Sequence, residues 1–264
     1  LVLASAARPA QAQTNSPGAP VAFPNGGVEV HAMLFRARGR RRRPLVLTAH
    51  GNPGFDADYQ AFCERLAGAN YTVLAVDWSA GGPPYPVDDA ARQEWRRNTI
   101  GSDAFWGMGA RNIAAGLAWA TQQRIAEADR PLAIGICGGG VVLGHWSARG
   151  APLERLVLFH AAARLQTERS VATPVHDLVD LAAQITTPVQ GHYGMLDQYA
   201  RASDGRAFEE ALARHAAAPE FYYYPDAGHG FVLDGTPFDP DSNFGYVPFA
   251  SSQAVSRALR FLAG

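Results

Sequence analysis

Residues 135–139 read Gly135-Ile136-Cys137-Gly138-Gly139, the pattern G-x-S-x-G with a cysteine where the serine would stand. In that pattern the central residue is a nucleophile at the tip of a sharp strand-to-helix turn. The turn lifts its side chain clear of the sheet and aims the next backbone N–H at the developing oxyanion. The backbone is crowded there, so small neighbours are needed, and Gly135, Gly138, Gly139 and Gly140 supply them. Such glycines could equally cradle a phosphate or let a helix pack close to a strand. A phosphate loop carries a lysine, as in G-K-S/T, and none stands in this region.

A nucleophilic thiol needs a base, and the base needs an acid to orient it. In a strand–nucleophile–helix fold of this type the chain order is nucleophile, acid, histidine. "GHYGMLDQY" places Asp197 in the loop after a strand, 60 residues beyond Cys137, and "YYYPDAGHGF" places His229 in a Gly-flanked loop 32 residues further on. Taken singly, Asp197 could cap the following helix and His229 could be a structural loop histidine. Asp226 is a rival acid, but it lies three residues before His229 and fits a turn-fixing role better. Jointly, all of these residues fall at strand carboxyl ends in the expected order, which points to a Cys137–His229–Asp197 triad.

These residues must be carried by a sheet. Strand-like runs recur at 28–35, 44–50, 71–78, 131–137, 153–161, 188–194 and 220–225, with helix-like segments at 57–69, 109–123, 140–149, 204–217 and 251–262. The middle strands are near-continuous apolar runs, as parallel strands covered on both faces are. Alternation of strand and helix implies βαβ crossovers, hence the α/β class: a mostly parallel central sheet with helices on both faces. An opening hairpin is expected, with the basic stretch "RARGRRRRP", 36–44, as its solvated turn. Ligands gather at the carboxyl ends of strands in such sheets, so the loops "GNPGF", 51–55, and "SAGGPPYPVDD", 79–89, are expected to rim a pocket.

Residues 28–264 are read as a single domain and 13–27, rich in Pro, Gly and Asn, as a linker. Residues 1–12 end in Ala10-Gln11-Ala12, which resembles the tail of an export signal cut before Gln13. The expectation is an exported protein, periplasmic or secreted, with a cytoplasmic one as the alternative. A net charge of −1 gives no electrostatic case for nucleic acid, and no apolar run reaches the roughly 20 residues that span a bilayer. Of two cysteines, Cys63 falls on the apolar face of the 57–69 helix with Tyr59, Phe62 and Leu66 and is read as a buried, inert thiol. The sequence carries no signal of oligomeric state.

"GICGGG", "GHYGMLDQY" and "YPDAGHGF" resemble the three catalytic signatures of the dienelactone hydrolase family, a cysteine branch of the α/β-hydrolases. The tail "SNFGYVPFASSQAVSRALRFL" resembles that family's closing helix, so the likeness runs from about residue 28 to the end. It implies an α/β-hydrolase fold in which Cys137 attacks the carbonyl of a small-molecule lactone or activated ester. His229 would be the base and Asp197 its orienter, with no metal and no organic cofactor. "HGNPG" looks like the oxyanion loop of serine-type members, which implies the backbone N–H groups of Asn52 and Gly138 as oxyanion donors.

There are departures. The family's thiol-activating glutamate has no counterpart, its place in "TAHGNPGF" being taken by Gly51 or His50. His50 could shape the thiol's surroundings, but packing and hydrogen bonding behind the loop is the plainer role. The arginine expected after the catalytic histidine is absent from "HGFVLDGTP", leaving Arg92, Arg96 and Arg97 as candidate stand-ins for binding a substrate carboxylate, against the plain reading of a solvated helix face. Without such an arginine a neutral ester or lactone fits better. Two other readings stand beside hydrolysis: an acyltransferase or thioesterase using the same triad, and a non-catalytic binding protein of this fold.

Overall fold

The computed structural model describes residues 18–264 except 38, 40, 166–174 and 216–218, and the side chains of Asp89 and Arg97 also lie outside it. The export-signal stretch, 1–12, and the start of the proposed linker therefore fall outside the described residues. Eight strands form one sheet: β1 (Ala19–Asn25), β2 (Val28–Phe35), β3 (Pro44–Ala49), β4 (Thr72–Val76), β5 (Glu127–Ile136), β6 (Arg155–Phe159), β7 (Val189–Gly194) and β8 (Glu220–Tyr224). Their spatial order is β1-β2-β4-β3-β5-β6-β7-β8. From β4 to β8 every neighbouring pair is parallel; only the β1–β2 and β2–β4 pairs are antiparallel.

Successive residues of a strand face opposite sides of its sheet. In β3, Leu45, Leu47 and Ala49 enter one buried cluster while Val46 enters the other, and in β4 Leu74 and Val76 oppose Val73 and Ala75 in the same way. Both faces therefore need cover. One receives α3 (Asp103–Gln122), α4 (Gly138–Ala148), α5 (Leu178–Leu181) and α6 (Ala202–Ala213), through residues such as Trp106, Ile113, Val142, Leu178 and Phe208. The other receives α1 (Ala57–Gly68) and α7 (Pro248–Ala263), through Phe62, Leu66, Ala254, Ala258 and Phe261. A further short helix, α2 (Asp89–Trp95), runs into a π-helical turn at Arg96–Ile100.

Two expectations need correction. Ala19–Asn25, within the stretch read as linker, is the strand β1, and Phe23 buries its ring against Trp119 of α3 at a centroid distance of 5.8 Å. Pro20 and Pro24 masked it, yet an edge strand tolerates proline because one side of its ladder is unused. The opening hairpin is β1–β2, not β2–β3: β4 is inserted between β2 and β3, its apolar residues buried on both faces and laddered on both sides. β2 and β3 are therefore not paired, and Arg36, Arg41 and Arg42 between them are exposed.

Candidate active site

Cys137 is the first residue beyond β5 and immediately precedes α4, with φ 53° and ψ −120°. A positive φ on a non-glycine residue is strained, and here it is held by hydrogen bonds on either side. Cys137 N–H donates to Phe159 O at 3.0 Å, and Cys137 O accepts from Gly140 N at 3.0 Å. The glycines are a packing necessity. A Cβ at Gly139 would lie 2.0 Å from Ala49 O, and one at Gly135 would lie 2.4 Å from the Gly140 Cα, so strand and helix meet closer than any side chain allows.

Asp197 and His229 arrive from the loops after β7 and β8. His229 Nδ1 lies 2.8 Å from Asp197 Oδ2, and His229 Nε2 lies 3.2 Å from Cys137 Sγ. The other carboxylate oxygen, Oδ1, accepts from the N–H groups of Tyr199 and Ala200, both at 2.8 Å. Asp197 therefore braces its own loop as well as the imidazole, and it does not cap the following helix, α6, whose N-cap is Arg201. The backbone of His229 is fastened to a returning segment, its N–H donating to Asn243 O at 2.9 Å and its carbonyl accepting from Gly245 N at 2.8 Å. Asp226 is exposed at the turn before His229.

A further set of bonds ties the three loops together. Beside the Cys137–Phe159 bond, His160 N–H donates to His192 O at 2.8 Å and Met195 N–H to Tyr224 O at 2.9 Å. The first residue beyond each of β5, β6 and β7 is thus bonded to the next strand.

Charge follows this geometry. Burial alone would push the Cys137 thiol up, but the charge and hydrogen bond of His229, together with the Gly138 N–H, outweigh it and hold the thiol below its ordinary value. Burial would likewise depress His229, but the facing thiolate and Asp197 raise its imidazole well above the usual histidine range. Each group thus favours the charged form of the other.

The loop after β3 lies beside Cys137. A Cβ on Gly51 would stand 3.5 Å from the Cys137 Cβ, so position 51 is the one beside the thiol and it carries no side chain. Asn52 packs its carboxamide against Gly138, its Oδ1 buried without a partner among the described residues, and its N–H also meets no acceptor there. The ring of His50 is buried among Phe55, Tyr59 and Trp78, with Nδ1 2.6 Å from Gly51 O and Nε2 3.4 Å from Asp77 Oδ1. Its geometry is that of a packing and hydrogen-bonding residue behind the loop.

The three arginines separate. Arg92 donates to Pro86 O at 3.0 Å and to Val87 O at 2.7 Å, clamping the loop that precedes its own helix. Arg96 sets its guanidinium 5.5 Å from the ring of Tyr199, which in turn lies 5.3 Å from that of His229. The Arg97 side chain lies outside the described residues.

The structure also brings in residues the motifs do not mark. His160, buried and at φ 37°, sets its ring 4.6 Å from that of His229, with Nδ1 unpartnered among the described residues. Burial holds its imidazole neutral, well below the ordinary histidine range. Phe244 approaches His229 at 5.9 Å. For His160 and Tyr199 a signal existed, since each sits within two residues of a strand end or a triad member; for Phe244 there was none.

A model of the dienelactone hydrolase family matches residues 30–264. A protein of Salmonella typhimurium named for carboxymethylenebutenolidase activity is 29% identical over 225 residues, which cover 83% of this chain and 77% of that one. A protein of Bradyrhizobium, named for lactonase activity on 2-oxo-3-(5-oxofuran-2-ylidene)propanoate, is 23% identical over 231 residues, 88% of each chain. Among solved structures, one from Klebsiella pneumoniae described as a dienelactone hydrolase superposes with a TM-score of 0.79 at 22% identity, over 93% of this chain and 98% of that one, a likeness of fold.

Proposed function

The chain belongs to the dienelactone hydrolase family, and on that premise we propose that it hydrolyses a lactone or small carboxylic ester through an acyl-thiolate intermediate on Cys137. One observation carries the reading: a thiol at a strained strand–helix turn faces an imidazole at 3.2 Å, and a buried carboxylate orients that imidazole at 2.8 Å.

In the first half-reaction the Cys137 thiolate adds to the carbonyl carbon, and the carbonyl π electrons move onto oxygen. The N–H groups of Gly138 and Asn52 receive that oxyanion; each such donor is worth about 2.7–4 kcal/mol of barrier. As the oxyanion collapses, the C–O bond to the leaving group breaks and the His229 imidazolium gives its Nε2 proton to the departing oxygen. A thioester remains. His229, now neutral, takes a proton from water, the hydroxide adds to the thioester carbon, and the acid departs as the thiolate and imidazolium re-form. Asp197 keeps Nδ1 as the donor to itself throughout, so that Nε2 always faces the reacting atoms. With no glutamate at position 51, the reading assigns thiol activation to His229 alone. Arg96, whose guanidinium lies 5.5 Å from the Tyr199 ring, is the arginine it assigns to a substrate carboxylate.

The test compares hydrolysis of a small p-nitrophenyl ester by the wild type and by Cys137→Ala, with reductant present. The expected loss in the variant is about 10⁴-fold or more. Equal rates in the two proteins would sink the thiolate mechanism.

A further inference from the structure

We propose that Tyr199 and Phe244 form the wall of the leaving-group subsite and make the enzyme selective for esters whose leaving group is flat and aromatic. This rests on the thiolate reading above.

The argument begins from the proton. In the step that expels the leaving group, its oxygen must come within about 2.6–3.2 Å of the general acid, here His229 Nε2. Whatever is attached to that oxygen then lies against the groups that surround the His229 ring. Three rings do so: His160 at 4.6 Å, Tyr199 at 5.3 Å and Phe244 at 5.9 Å. His160 is only 1% exposed and serves as floor, whereas Tyr199 and Phe244 are 49% and 39% exposed. A ring whose task is solely to wedge the histidine in place would be covered; these two keep open surface beside the reacting atoms.

Both are also held in advance. Tyr199 N–H is bonded to Asp197 Oδ1 at 2.8 Å, and the Arg96 guanidinium lies 5.5 Å from its ring. Phe244 sits at the end of a tight turn in which Asp239 N–H donates to Phe244 O at 2.8 Å and Phe244 N–H donates to Asp239 O at 3.3 Å. Its neighbours Asn243 and Gly245 are the residues bonded to the His229 backbone, which ties the segment carrying the ring to the base. Fixed aromatic surfaces favour a planar partner by offset or edge contact, and an aliphatic chain lacks that term.

The test measures kcat/KM for phenyl acetate and 2,2,2-trifluoroethyl acetate in the wild type, Tyr199→Leu, Phe244→Leu and Cys137→Ala. Both esters give the same acetyl-enzyme, so kcat/KM isolates the acylation step, and dividing the variant's aryl-to-alkyl ratio by the wild-type ratio cancels intrinsic reactivity. Each leucine variant is expected to lower that ratio about three- to tenfold, with Tyr199→Phe and Phe244→Tyr restoring it. If both rates fall together and the ratio stays constant, the rings only position His229 and the subsite is refuted. Conservative variants that lose the ratio as fully as the leucine variants refute it too. Failure of the underlying reading shows differently, as hydrolysis that persists in Cys137→Ala whatever the ratio does.

Discussion

The two cysteines of this chain share a side chain and little else. Cys63 lies on α1 against the sheet, fully buried, with Thr48 Oγ1 at 3.5 Å and burial pushing its thiol up to about 12. Cys137 is only partly buried, at a strained turn with its sulfur 3.2 Å from an imidazole nitrogen. Desolvation is the largest influence on both, and in one of them it loses. What lowers the one thiol while the other is raised is chiefly the imidazole within hydrogen-bond reach of Cys137.

The most direct way to break the contrast is to remove that imidazole. His229→Ala is expected to lower kcat/KM about 10⁴-fold. It should also raise the Cys137 thiol toward the ordinary thiol value near 8.5, because burial is then opposed by the Gly138 N–H alone. The thiolate absorbance at 240 nm, titrated in both proteins, reads the change. The sign fixes the wild-type pH profile as well. Activity rises with pH as Cys137 loses its proton below that ordinary value, and falls at higher pH as His229 gives up the proton it must donate, which makes a bell in kcat/KM.

A smaller effect sharpens the comparison within one molecule. Iodoacetamide at pH 7 is expected to alkylate Cys137 at least about 10³ times faster than Cys63, since a thiol titrating near 12 is almost wholly protonated there. Peptide mapping by mass spectrometry measures both rates, and comparable labelling of the two would break the contrast. The smallest effect is Cys63→Ala. It should cost about 1–2 kcal/mol in urea unfolding, the loss of one buried sulfur, while kcat/KM stays within about twofold.

Much of the site was legible because its parts obey local rules. Cys137, Asp197 and His229 each follow an apolar strand run and sit among glycines or turn residues, so chain order and strand edge together pointed to them. What stayed hidden depends on packing between distant segments. "APVAFPN" becomes β1 only because β2 offers an edge and α3 offers Trp119 to Phe23. The insertion of β4 between β2 and β3 is a choice of partners that no run of residues announces. Among the arginines, only the fold separates Arg92, turned back on its own loop, from Arg96, set over Tyr199. Phe244 reaches His229 through a segment that returns from beyond it, and nothing in "DSNFGY" marks that destination.

The bonds from Cys137 to Phe159, His160 to His192 and Met195 to Tyr224 bear on how the molecule fails. Cys137 and Asp197 follow two of four adjacent strands stitched in series, and His229 lies in the loop after the last of them. Displacing Cys137 breaks its bond to Phe159 at the rim of the sheet, whereas His229 is held through Asn243 and Gly245 of the returning segment, so the two can be loosened separately.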